Sequence, residues 1–137
     1  MGAFFLPNNI GFVDIVITMK LGFIGTGKIT SSVIAGISSS SIKYSKIFVS
    51  ERNKKISKGL KKRYKKIFIE KNNQKIIDNS NWVFLAVTPK VGENIIKNLK
   101  FKSNQTIISF ISTITISELK QMIKVKANII RAIPLPP

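Results

Sequence analysis

The fold of this chain is decided by the stretch GFIGTGKIT, residues 22–30. An apolar run of strand length ends at Gly25, and Ile29, Val33 and Ile37 then recur with the four-residue spacing of a helix. A pair of glycines at a strand-to-helix turn allows a tight bend and a close backbone approach to an anion. The pair alone fits a simple tight turn equally well, but its place before a helix N-terminus predicts binding of a dinucleotide pyrophosphate.

The rest of the chain alternates apolar runs of strand length with segments of helical periodicity. We predict strands at 20–24, 46–50, 67–69, 82–87, 106–111 and 128–133, and helices at 28–37, 53–64, 73–79, 89–99 and 117–124. This order predicts an α/β fold, a doubly wound, mostly parallel Rossmann sheet with helices on both faces. Residues 19–137 are expected to form the dinucleotide-binding domain, with 1–18 as an N-terminal extension outside the core.

The composition excludes several kinds of chemistry. The 137 residues include no cysteine and no histidine, so thiol nucleophiles, histidine acid/base catalysis and the usual zinc sites are excluded. Six acidic residues are a poor supply of metal ligands, and we expect no metal site. No apolar stretch approaches the roughly 20 residues that a bilayer requires, and we expect a cytoplasmic protein without membrane contact.

The formal net charge of +17 also points toward nucleic acid. The densest basic run is KKRYKK, residues 61–66, at the end of a predicted helix. Ile56, Leu60 and Tyr64 on that helix are needed by the core, and a charged run on a helix is usually a solvated face. Because lysine, isoleucine and asparagine are all abundant, A/T-rich codons explain much of the charge. A basic nucleic-acid-binding module remains the less favoured alternative.

The end of the second strand indicates which nicotinamide cofactor is bound. NAD enzymes usually end this strand with a carboxylate that binds the adenosine ribose. Here Ser50 occupies that place, and Arg52 can offer a charged fork to a 2′-phosphate. Glu51 would favour NAD if it turned inward, whereas a solvated Glu51 leaves NADP preferred. We therefore predict NADP as cofactor, with NADPH preferred over NADH.

Six sequence blocks follow one another in the order of a known family's motifs. They are GFIGTG at 22–27 with Gly36 late in the helix, VSER at 49–52, Asn73, FLAVTPK at 84–90, SFISTITISEL at 109–119 and RAIPLPP at 131–137. In this order they resemble the motifs of the pyrroline-5-carboxylate reductases. The resemblance extends from Met19 to Pro137.

The resemblance implies hydride transfer from NADPH to the C=N carbon of the cyclic imine 1-pyrroline-5-carboxylate, giving L-proline in amino-acid biosynthesis. Pro134 and Leu135 would lie on the substrate side. Cofactor contacts are expected from residues that follow the strand ends, namely Gly25, Thr26, Gly27, Lys28, Ile29, Ser50, Arg52, Asn73, Ala86, Val87, Thr88, Pro89, Ser112 and Thr113.

Four positions depart from the family pattern. Lys28 and Thr30 replace an asparagine and an alanine of the first turn, and Thr113 replaces a glycine beside the nicotinamide. Leu135 stands where the family has the asparagine of its M-P-N segment. The alternative is therefore an NADP-dependent oxidoreductase of the same superfamily with another imine or a hydroxy acid as substrate.

No catalytic residue can be assigned from the sequence. Ser112, Thr113 and Thr88 carry hydroxyls that could donate a proton, but each is more typical of a loop residue that satisfies backbone groups. Family members continue into a helical domain that dimerises and closes the substrate pocket. We expect a homodimer only where that domain is present, and weak or no turnover by the 137 residues alone.

Overall fold

The computed structural model describes residues 19–133, whose six parallel strands form one sheet in the order β3-β2-β1-β4-β5-β6. The strands are β1 Lys20–Ile24, β2 Lys46–Ser50, β3 Ile67–Glu70, β4 Trp82–Leu85, β5 Thr106–Ser109 and β6 Asn128–Arg131. The helices are α1 Lys28–Ser39, α2 Lys54–Arg63, α3 Asn73–Asp78, α4 Pro89–Ile96 and α5 Ile116–Ile123. The predicted doubly wound α/β sheet is confirmed. The prediction for residues 1–18 lies outside the described residues.

The helices cover both faces of the sheet. Ile34 of α1 and Leu60 of α2 pack on one face, in a cluster that includes Phe23 of β1. Ile96 of α4 and Leu119 of α5 pack on the other face, in the cluster of α3. The central strands β1, β4 and β5 are buried over three or more consecutive residues, so their apolar residues run without interruption, which is the pattern that predicted parallel strands.

Three strands end earlier than their apolar runs predicted. β4 ends at Leu85 and β5 at Ser109, each two residues short of the prediction, and β6 ends at Arg131. Ala86 still donates its N–H to Ile24 O, at 2.8 Å, but the chain then leaves the sheet. Apolar character therefore continues past the ends of β4 and β5, where Ala86, Val87 and Phe110 are half-buried and Ile111 is buried.

Gly22 is set by the packing of α3 against β1. A Cβ built at Gly22 would collide with Ser80 Oγ and would lie 2.7 Å from Ile76 Cγ2. Ser80 cannot easily move away, because its hydroxyl is buried and donates to Ile76 O at 2.6 Å. The first glycine of the GFIGTG block is thus required by helix packing, on the face away from α1.

No helix among residues 19–133 combines the length and the apolar character needed to cross a bilayer.

The close approach at Gly22 predicts that G22A lowers the free energy of unfolding by about 1–3 kcal/mol, the usual cost of overpacking. Urea denaturation measures this change. The matched control is G36A, because Gly36 is an exposed position of α1 where a Cβ would meet nothing within 4 Å. There alanine should stabilise the protein by up to about 1 kcal/mol. Equal stability of G22A and the wild type would contradict the assignment.

Candidate functional site

The glycine turn joins β1 to α1 and has a conformation that only glycine adopts without strain. Gly25 has a φ of +100°, and a Cβ there would collide with the carbonyl oxygen of Ala86. The turn therefore passes directly over the end of β4. This contact places the first turn of α1 beside the segment that follows β4.

Three buried hydroxyl side chains hold the turn in place. Ser50 Oγ accepts the Gly25 N–H at 3.1 Å, and Thr30 Oγ1 donates to Gly25 O at 2.7 Å. Thr26 Oγ1 donates to Ser50 O at 2.5 Å, which ties the turn to the end of β2. Thr30 stands where the resembled family has alanine, and its role here is to fix the Gly25 carbonyl.

A cleft of about 610 Å³ opens beside this turn, at the point between β1 and β4 where the helices change faces. Ligands bind at such a switch point in open α/β sheets. The residues that line the cleft come from the ends of three strands and the helices that follow them. They are Gly25, Thr26, Gly27, Arg52, Asn53, Lys54, Ala86, Val87, Thr88 and Val91.

Gly27 leaves room for an anion at the N-terminus of α1. It is the N-cap residue and supplies no side-chain cap, so no side-chain oxygen of its own takes the first N–H groups of the helix. A Cβ at Gly27 would meet no protein atom within 4 Å. The glycine turn therefore leaves room for a dinucleotide pyrophosphate beside the first N–H groups of α1.

A second cavity of about 260 Å³ lies next to the cleft and is strongly basic. Arg52 and Lys54 line both cavities. Lys71, which follows β3, is the third cation, and Glu51 is the one carboxylate. Ser50 and Asn73 complete the lining. This composition suits a phosphate attached to the adenosine half of a dinucleotide.

The structure brings together most of the residues predicted to contact cofactor. Seven line the cleft, and Ser50 and Asn73 join Arg52 in the second cavity. Five of the predicted residues line neither cavity, namely Lys28, Ile29, Pro89, Ser112 and Thr113. The substrate-side predictions, Pro134 and Leu135, lie outside the residues that the structure describes.

Five residues of the two cavities were absent from the predicted contacts: Glu51, Asn53, Lys54, Val91 and Lys71. Asn53 could have been found, because an asparagine directly before a helix is a typical N-cap, and its Oδ1 accepts from Ile56 N at 3.2 Å. Lys71 follows the third strand and belongs to none of the six sequence blocks. Only the placement of β3 beside β2 brings it to the site.

The loop between β5 and α5 is fixed at both ends. Arg131 Nη2 donates to Ser112 O at 2.5 Å, and its Nε is buried without a partner within residues 19–133. Thr115 and Glu118 form a capping box at the start of α5. The hydrogen bond from the Thr115 backbone lowers the pKa of Glu118, so the carboxylate keeps this cap down to a lower pH than usual.

Comparison with known proteins agrees with this geometry. A family model described as NADP oxidoreductase, coenzyme F420-dependent, matches residues 20–113. A search of curated proteins by sequence finds no significant match.

Three similar solved structures are pyrroline-5-carboxylate reductases. The Streptococcus pyogenes enzyme is 28% identical, with a TM-score of 0.65 over 85% of this chain and 42% of that chain. The Plasmodium falciparum enzyme, solved with NADP bound, is 24% identical, with a TM-score of 0.70 over 87% of this chain and 43% of that chain. The Coxiella burnetii enzyme is 21% identical, with a TM-score of 0.74 over 88% of this chain and 45% of that chain. The two more distant matches show the fold alone. The resemblance predicted from the sequence is confirmed, and the chain spans less than half the length of each enzyme.

The open space at Gly27 predicts that G27A folds but loses dinucleotide affinity. The new Cβ would meet no protein atom, so stability should fall by at most about 1 kcal/mol. It would project into the space that we assign to the pyrophosphate. We therefore expect the Kd for NADPH to rise at least about tenfold. Calorimetric titration measures the Kd for NADPH of G27A and of the wild type. The control G59A adds the same methyl group on α2, away from both cavities. Unchanged affinity in G27A would remove the pyrophosphate assignment.

Proposed function

This chain belongs to the family of NADP oxidoreductases described as coenzyme F420-dependent, and on that premise we propose that it binds NADPH for the reduction of 1-pyrroline-5-carboxylate to L-proline. The observation that carries the proposal is the cleft at the β1–β4 switch point, with an open glycine at a helix N-terminus and cations at its adenosine end. When bound, the dinucleotide supplies the hydride. The protein binds and orients it.

The preference for NADP over NAD is proposed from the charge around the second cavity. Arg52, Lys54 and Lys71 place three cations there against the single carboxylate of Glu51. A charge-assisted contact to a phosphate contributes about 1.5–3 kcal/mol, which is roughly a ten- to hundredfold preference. The 2′-phosphate distinguishes the two cofactors, so these cations would favour NADPH.

Thr88 is the hydroxyl residue that we place beside the reacting end of the cofactor. It is the N-cap residue of α4, its side chain makes no capping bond, and it is exposed in the lining of the cleft. Of the three hydroxyl candidates from the sequence, Ser112 and Thr113 line neither cavity. We propose that Thr88 orients the ligand, and we assign the proton donor to no residue.

A cyclic imine as substrate is proposed from the family resemblance. The alternative is another imine or a hydroxy acid, which the identity of 28% to the Streptococcus pyogenes enzyme leaves open. A chemistry in which the cofactor carries the reactive group fits a chain without histidine or cysteine.

The NADP preference predicts that R52A weakens NADPH far more than NADH. Loss of the guanidinium should raise the Kd for NADPH about ten- to hundredfold and change that for NADH by less than about threefold. Fluorescence titration with NADPH and with NADH measures the two Kd values. The matched control is K55A, because Lys55 is a neighbouring exposed cation that lines neither cavity. Equal losses of the two cofactors in R52A would contradict the 2′-phosphate assignment.

The nucleic-acid alternative is tested with a random DNA duplex at two salt concentrations. The last turn of α2 carries Lys61, Lys62 and Arg63, and its first turn has no acidic residue, so weak binding at low salt is expected. That binding should vanish at the higher salt concentration, while NADPH affinity persists. Tight, salt-steep DNA binding without cofactor affinity would replace the proposed function.

The substrate is tested by progress curves of NADPH consumption with 1-pyrroline-5-carboxylate, alongside an acyclic 2-oxo acid as the comparison. We expect at most slow oxidation of NADPH with the imine, with L-proline as its product, and none with the oxo acid. Oxidation with the oxo acid alone would assign a hydroxy-acid dehydrogenase instead. An R52A control should reduce the rate at limiting NADPH and leave the choice between the two substrates unchanged.

A further inference from the structure

The hydroxyls of Thr26 and Ser50 form a buried pair between the two cavities. Thr26 Oγ1 lies 2.5 Å from Ser50 O and 2.8 Å from Ser50 Oγ. Both residues are only about 5% exposed. At such distances two oxygens repel one another unless a proton lies between them, so each contact requires a hydroxyl proton.

The two available protons can be assigned from these contacts. A carbonyl oxygen accepts only, so the Thr26 proton must point to Ser50 O. The contact between the two hydroxyls must then use the Ser50 proton, with Thr26 Oγ1 as acceptor. Ser50 Oγ also accepts the Gly25 N–H at 3.1 Å. The hydroxyl of Ser50 therefore has no proton left to donate to a phosphate in the neighbouring cavity.

We infer that Ser50 is a positioning residue, which together with Thr26 fixes the glycine turn, and that recognition of the 2′-phosphate falls on the cations of the second cavity. The inference rests on the proposed function. It reassigns Ser50, which the sequence analysis predicted as a direct cofactor contact. Arg52, Lys54 and Lys71 line that cavity and carry charged N–H donors, and none of them takes part in the Thr26–Ser50 pair.

The pair also joins the two halves of the nucleotide site. Ser50 ends β2 and lines the basic cavity, whereas Gly25 and Thr26 line the cleft. Loss of either hydroxyl would leave buried polar groups without a partner and would loosen the turn. The turn faces the pyrophosphate, which NADPH and NADH share. Both cofactors should therefore be affected equally.

The experiment compares T26V, T26S and S50A by calorimetric titration with NADPH and with NADH. T26V and S50A should weaken both cofactors by the same factor, about three- to tenfold, because each loses the hold on the turn. T26S keeps the hydroxyl and should restore both affinities to within about twofold of the wild type. Thermal unfolding shows which variants fold. A selective loss of NADPH in S50A, with NADH unchanged, would make Ser50 a phosphate ligand and overturn the inference.

Amide hydrogen exchange of Gly25 in the ligand-free protein gives a readout that needs no cofactor. Its N–H is held by Ser50 Oγ, so exchange should be faster in S50A than in the wild type, and T26V should show a smaller increase in the same direction. Unchanged exchange in S50A would overturn the pair as a positioning device. If the wild type binds neither cofactor, the proposed function fails, and the exchange data still decide whether the pair holds the turn.

Discussion

The close approach of the Gly25 backbone to the carbonyl of Ala86 is the constraint on which the rest of the site depends. Because the turn crosses the end of β4 at a positive φ, no side chain can separate the two segments. The adjacency of β1 and β4 brings the glycine turn and residues 86–88 to the two sides of one cleft. The helices change faces at the same point, which keeps the cleft open.

The three glycines of the GFIGTG block serve three different physical needs. Gly22 allows α3 to pack closely on β1, Gly25 allows the backbone to pass over Ala86, and Gly27 leaves space for a ligand. The first glycine is therefore a packing residue, and the last is the one that we propose for binding. A sequence motif read as one functional unit combines, in the structure, a packing contact, a backbone conformation and an open helix N-terminus.

The fold and most of the residues that line the two cavities follow from the sequence in physical terms. Alternating apolar runs predict the parallel sheet, and the glycine turn and Arg52 mark the strand ends where ligands bind. Strand ends were placed too late, because Ala86 and Val87 stay apolar beyond the sheet. Lys71 lies at the site because β3 pairs with β2, and the residues around Lys71 in the sequence do not predict that pairing. The proton of Ser50 depends on oxygen distances that no sequence pattern contains.

The N-terminus of α1 carries a further consequence. Gly27 supplies no cap, so the first amide groups of the helix have no partner from the residue that would normally provide one. A bound pyrophosphate would act as that missing cap and so complete the secondary structure of the domain. Folding and occupancy are then thermodynamically linked, and the abundance of the folded protein in a cell would follow the supply of its nucleotide.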